Sequence, residues 1–127
     1  MTQSESGGSA EGSSDFRVET TQDGGAATVS VFGAVDMLTA PELAAAVSRA
    51  QAGVPRGVVI DLTGVDFLGS AGLSVLVDAS RTASENGSGM VIVADNHPVL
   101  HALQVTGLDA VLRVVSDRAQ AIEALAD

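Results

Sequence analysis

Few residues in this chain combine a reactive side chain with a position that could use it. Ser70 is the foremost, standing between Gly69 and Ala71-Gly72 at the start of an amphipathic stretch. A serine there has two compatible uses. Its oxygen can cap the helix by accepting from an orphan amide of the first turn. It can also carry a phosphate, which the free amides and the positive end of the helix dipole tolerate. Nucleophilic acyl chemistry fails on spacing, because the elbow pattern G-x-S-x-G needs glycine where this chain has Leu68. The only histidines, His97 and His101, are four apart on one short helical stretch. A pair at that spacing can bind zinc, but the third ligand and the glutamate of H-E-x-x-H are absent, so they read as solvated helix residues. A phosphate-cradling G-x-x-x-x-G-K-[ST] loop is impossible without lysine, and the chain has none. The acids are scattered rather than paired, which leaves a two-carboxylate acid/base site without support. Nothing in this inventory calls for a metal or a cofactor.

The elements that must position Ser70 alternate along the chain. Residues 16–20 read as a short first strand closed by Asp23-Gly24-Gly25, and 27–32 as a second strand ending at Gly33. The stretch 39–52 is helical: Thr39-Ala40-Pro41-Glu42 has the form of a capping box with proline in the first turn, and Gly53 ends the run. Residues 58–62 form a near-continuous apolar run, as expected of a strand covered on both faces. Residues 70–85 follow as a helix with Leu73, Leu76, Val77 and Ala83 on one stripe and Ser74, Asp78 and Arg81 on the other. Residues 90–94 are another buried strand, 97–106 a short helix stopped by Gly107, and 112–115 the last strand. Asp117 can cap a final helix. Strands separated by single helices imply right-handed crossovers and a largely parallel sheet, with the first strand as its antiparallel edge. In such a sheet function gathers beyond the carboxyl ends of the strands. Three loops leave those ends: Gly33-Ala34-Val35-Asp36, Asp66-Phe67-Leu68-Gly69-Ser70 and Asp95-Asn96-His97-Pro98. Asp36, Ser70 and Asn96 should therefore share one edge.

Composition narrows the partners. Sixteen acidic residues against six basic ones, all arginine, give a net charge of −10 over 127 residues. That balance argues against nucleic acid, which requires a basic face, and equally against an anionic membrane surface. The longest apolar runs are far short of the roughly 18 residues needed to span a bilayer. Absence of a basic n-region and an apolar h-region in the first residues argues against a signal peptide, so the expected location is cytoplasmic. With no cysteine, disulfides and thiolate metal sites are excluded. Residues 1–14 are mostly Ser, Gly and Glu, with no large apolar side chain after Met1, and are expected to be a disordered tail before one domain over 15–127.

The Gly33-Ala34-Val35-Asp36 turn, the segment from Asp61 through Gly69-Ser70-Ala71-Gly72-Leu73 and the Leu103-Gln104-Val105-Thr106-Gly107-Leu108 helix end together resemble the STAS domain. More narrowly, they resemble the stand-alone bacterial anti-sigma factor antagonists. The resemblance runs from about Phe16 to the C-terminus. It implies an α/β fold of the STAS type: a mostly parallel central sheet with an antiparallel edge strand and about four helices. It implies a partner-switching module and no enzyme. In that family the unphosphorylated antagonist binds an anti-sigma factor and so frees a sigma factor. The anti-sigma factor is itself a serine kinase that phosphorylates the antagonist at the helix-start serine, and a phosphatase resets it. Carried over by position, the phosphorylated residue is Ser70, and Asp36, Asp66, Gly69, Ser70, Ala71, Gly72, Ser74 and Asn96 form the partner-binding face. Two departures matter. Many members have Asp-Ser-Ser-Gly or Asp-Ser-Thr-Gly, whereas this chain has Gly69-Ser70-Ala71-Gly72, and a basic residue common in the third helix is His101 here. The alternative is a STAS subunit of a transporter or stress-signalling assembly, with Ser70 only a helix cap.

Overall fold

The structure, a computed structural model, describes residues 16–23, 25–53 and 56–126. The tail expected over 1–14 lies outside them. Strand β1 (Arg17–Asp23) turns back into β2 (Ala26–Val35), and helix α1 (Ala40–Gly53) carries the chain to β3 (Gly57–Leu68). Helix α2 (Ser70–Glu85), β4 (Gly89–Val93), α3 (His97–Val105), a 3-10 turn (Leu108–Ala110), β5 (Val114–Val115) and α4 (Arg118–Ala126) follow. The five strands lie in the order β1-β2-β3-β4-β5. Only β1 runs antiparallel to its neighbour, so the expected edge strand is in place.

Branched aliphatic residues make the sheet and cover both its faces. The larger core sets Leu43 and Val47 of α1, Leu76 of α2 and Val99 and Leu103 of α3 against Val29, Val31, Val58, Ile60, Leu62 and Ile92. A smaller one packs Ala121 of α4, with Ile122 and Leu125 beside it, on Val59, Val91 and Val93. Val58 and Val59 thus point to opposite faces, which explains the continuous apolar run of this central strand.

Several expected boundaries move: β1 runs Arg17–Asp23 rather than 16–20, and β2 runs on to Val35, through the Gly33-Ala34-Val35 stretch expected as a loop, instead of ending at Gly33. The third strand was expected to stop at 62 and its sequel to be a loop, but β3 continues through Asp66 and Phe67 to Leu68. Its pairing with β2 steps from Ser30↔Asp61 to Phe32↔Gly64, and from Gly33↔Val65 to Ala34↔Phe67. Each step inserts one extra β3 residue, a bulge that bends the strand and re-aims its side chains. The bulges break the alternation by which a strand is read. The last strand is shorter than 112–115, only Val114–Val115.

Candidate functional site

Strand ends and helix starts converge where β2, β3 and β4 finish. The Gly69 amide donates to the Val35 carbonyl at 2.9 Å, tying the α2 start to the end of β2. Beyond Val35 the chain makes a tight polar turn. The Asp36 carboxylate accepts from the amides of Leu38 at 2.9 Å and Thr39 at 3.1 Å. The Thr39 hydroxyl donates to the Ala34 carbonyl at 2.8 Å and accepts from the Asp36 amide at 2.9 Å. The expected capping box at Thr39 and Glu42 is therefore replaced. Thr39 turns its hydroxyl back toward β2, and Asp36 caps the turn instead.

Ser70 also departs from the cap expectation. The N-cap position of α2 is Gly69, with extended backbone and no side-chain cap bond, and Ser70 is the first helical residue. Its hydroxyl is exposed at the positive end of a 16-residue helix. Such a position leaves first-turn amides open to an anion.

The residues around Ser70 divide by what they touch. A Cβ added to Gly69 would lie 3.1 and 3.3 Å from two ring carbons of Phe67. The glycine at this position thus makes room for an aromatic ring. A Cβ at Gly72 would meet Leu68 Cδ1 and Val35 Cγ1, each at 2.6 Å, so Gly72 is buried and lets α2 sit down on the strand ends. Asn96 holds the bulged end of β3 from beneath: its Nδ2 donates to the carbonyls of Val65 at 2.5 Å and Leu62 at 3.3 Å. Asp66 is exposed on the last stretch of β3, Ala71 is half-buried, and Ser74 is exposed one turn along α2. The structure therefore brings Asp36, Asp66, Ser70, Ser74 and Asn96 to one end, with Gly72 and Asn96 facing inward.

His97 and His101 stack with ring centroids 5.3 Å apart. No group of three His, Cys, Asp or Glu side chains suited to a metal occurs among the described residues. No helix among them is long and apolar enough to cross a membrane.

Two features escaped the sequence reading. Met37, Leu38, Phe67, Val105 and Val111 are exposed large apolar residues; at Met37, Leu38 and Phe67 the signal was apolar side chains inside turn-forming stretches. At the opposite face, Asp61 is a buried carboxylate inside an aliphatic run. Arg118 of α4 donates to it from Nε at 2.6 Å and to Ser30 Oγ from Nη2 at 2.6 Å, while the Thr63 hydroxyl donates at 2.7 Å. Burial alone would raise the Asp61 pKa, but the Thr63 amide and the Arg118 guanidinium bond its charged form and hold it below its ordinary 3.8.

A family model of the STAS domain matches residues 17–121. The chain is 34% identical over 92 residues to the anti-sigma-F factor antagonist RsfB of Mycobacterium tuberculosis, covering 72% of this chain and 75% of that relative. It is 31% identical over 86 residues to the anti-sigma-B factor antagonist of Listeria monocytogenes, covering 66% of this chain and 74% of the relative. The crystal structure of an anti-sigma factor antagonist from Mycobacterium paratuberculosis superposes with a TM-score of 0.82 at 32% identity, over 89% of this chain and 96% of that one.

Proposed function

The chain belongs to the STAS domain family, and from that premise we propose that it is an anti-sigma factor antagonist switched by phosphorylation of Ser70. Unphosphorylated, it binds an anti-sigma factor that is also a serine kinase, and so releases a sigma factor. Phosphate on Ser70 ends the binding, and a phosphatase restores it. The reaction chemistry belongs to those partners; this chain supplies the acceptor and the surface. It acts in the cytoplasm, where sigma factors work.

One observation carries the reading: an exposed serine opens α2 with no side chain capping the helix ahead of it. The helix end accepts the phosphate, and the partner face refuses it. Phosphate adds about −1.5 to −2 charges at neutral pH. On a chain already at −10, beside Asp36 and Asp66, that charge would be stripped of water without a cation of this chain's own. A cost of about 4 kcal/mol weakens binding roughly 10³-fold with no rearrangement of the fold. The proposed partner face takes in Asp36, Asp66, Gly69, Ser70, Ala71 and Ser74. Gly72 and Asn96 support it from behind.

Incubation with the purified anti-sigma kinase and ATP should add one phosphate, located at Ser70 by peptide mass spectrometry. Ser70→Ala should abolish the modification and keep binding. Phosphate found only on Ser74, or a Ser70 phosphoprotein that binds as tightly as the unmodified one, would refute the reading.

A further inference from the structure

The sheet ends in two edges of different length. On one side β5 is two residues long, too short to recruit another strand. On the other, β1 runs seven residues, Arg17–Asp23, and pairs with β2 in an unbroken register from Arg17↔Phe32 to Asp23↔Ala26. Its far side meets no strand among the described residues. An edge strand presents backbone donors and acceptors outward, and proteins usually blunt such an edge with lysine, proline, a bulge or a cover. Strand β1 has no lysine, no proline and no register shift. Arg17, Glu19, Thr20, Thr21 and Gln22 are exposed, so nothing among the described residues covers them. The charges at its start are of opposite sign and already joined. Arg17 Nε bonds Glu19 Oε2 at 2.9 Å, and the guanidinium lies 4.2 Å over the Phe32 ring of β2.

We infer that two copies of the chain pair antiparallel along β1, with Thr20 of each on the twofold axis. The five strands of each copy then form one continuous sheet. Self-complementarity of the strand RVETTQD sets the register. Centred on Thr20, all seven residues pair: Arg17 stands opposite Asp23 of the second copy, Glu19 opposite Thr21, and Thr20 opposite itself. Opposite charges and paired threonines favour such a ladder, whereas like charges directly opposite oppose it. Moving the axis to Glu19 sets Glu19 against Glu19, and moving it to Thr21 sets Glu19 against Asp23. The Thr20-centred register uses the whole strand and opposes no like charges. It adds roughly six to eight backbone hydrogen bonds. Its axis is perpendicular to the sheet, so the two α2 starts point in opposite directions. Both Ser70 ends stay open, and the inference is independent of what they bind. Two chains at −10 repel at long range, and about 0.15 M salt, with a Debye length of about 8 Å, screens most of that.

The chain has no cysteine, so one introduced thiol can pair only with the same residue of another copy. Thr20→Cys places two thiols on the axis, within disulfide reach. Gln22→Cys stands opposite Val18, about 13 Å from its own copy at about 3.3 Å per residue, beyond the roughly 7 Å limit. Under mild oxidation at about 0.15 M salt, Thr20→Cys should form a linked dimer and Gln22→Cys should stay monomeric. In sedimentation without cross-linking, the wild type should dimerise with rising concentration. Thr21→Lys, which faces Glu19 of the second copy, should tighten the dimer severalfold, and Thr21→Glu should loosen it by a similar factor. Ser84→Lys adds the same charge on α2 and should leave it unchanged. Each substitution alters an exposed side chain, so thermal midpoints should match the wild type. A wild-type protein still monomeric at roughly 1 mM overturns the inference. So does equal cross-linking at positions 20 and 22, which is collision without register. A dimer that neither Thr21 variant shifts, or that Ser84→Lys tightens as much as Thr21→Lys, overturns it as well.

Discussion

At the residue scale, two charged-group problems are solved in opposite ways. Ser70 is exposed at a helix start, where an added negative charge would meet free amides, whereas Asp61 is buried and already charged. Asp61 survives burial because the Thr63 amide, the Arg118 guanidinium and the Thr63 hydroxyl all bond its carboxylate. Its pKa is therefore depressed in the folded state. The unfolded chain then binds the proton more readily, so stability rises with pH through this range. Asp61→Asn should cost about 1–3 kcal/mol at pH 7, the usual worth of hydrogen bonds to a charged group. The difference from wild type should persist above the ordinary carboxylate value of 3.8 and close as acid protonates Asp61 below it. Thermal midpoints of both proteins from pH 7 to pH 3 give the answer. A gap that stays constant down to pH 3 would show that the carboxylate's charge contributes nothing.

At the element scale, β3 is fixed at both ends by glycines, for different reasons. Gly57 has φ of +135°, and a Cβ there would sit 2.1 Å from the Gly89 carbonyl oxygen of β4, a backbone atom with nowhere to go. Gly72 instead faces two side chains, Leu68 and Val35, that have some freedom to yield. Gly57→Ala should therefore cost about 2–4 kcal/mol, combining backbone strain with overpacking. Gly72→Ala should cost about 1–3 kcal/mol from overpacking alone. Urea titrations that rank the two in the reverse order would contradict this account. The same elements show what a sequence can and cannot disclose. Helix α2 was legible as residues 70–85 because its apolar stripe repeats at helical spacing, and it spans Ser70–Glu85. The end of β3 was not, because Thr63, Gly64 and Asp66 carry turn-type residues while two bulges disrupt the alternation of faces. The placement of Asp36, Ser70 and Asn96 at one end followed from topology alone. The role of Asn96 as a brace on β3 depends on a contact 31 residues distant in the chain. No local pattern encodes it.

At the scale of the whole molecule, charge sets how partners arrive and apolar surface sets how long they stay. A net charge of −10 with no lysine should leave the protein unretained by duplex DNA even at low salt, where electrostatic binding is strongest. Retention in a gel-shift at low ionic strength would refute that. Toward an oppositely charged partner the same charge would accelerate encounter, because long-range attraction raises the association rate. The Debye length falls from about 30 Å at 0.01 M salt to about 10 Å at 0.1 M, so the steering is screened well before close contacts are. Met37, Leu38, Phe67 and Val105 are exposed apolar side chains that carry no charge to screen. Raising salt from 0.01 to 0.1 M should therefore slow association severalfold and leave the dissociation rate nearly unchanged. Stopped-flow mixing gives the first rate, and displacement by excess unlabelled protein gives the second. Dissociation that quickens with salt as steeply as association slows would place ion pairs at the centre of the contact.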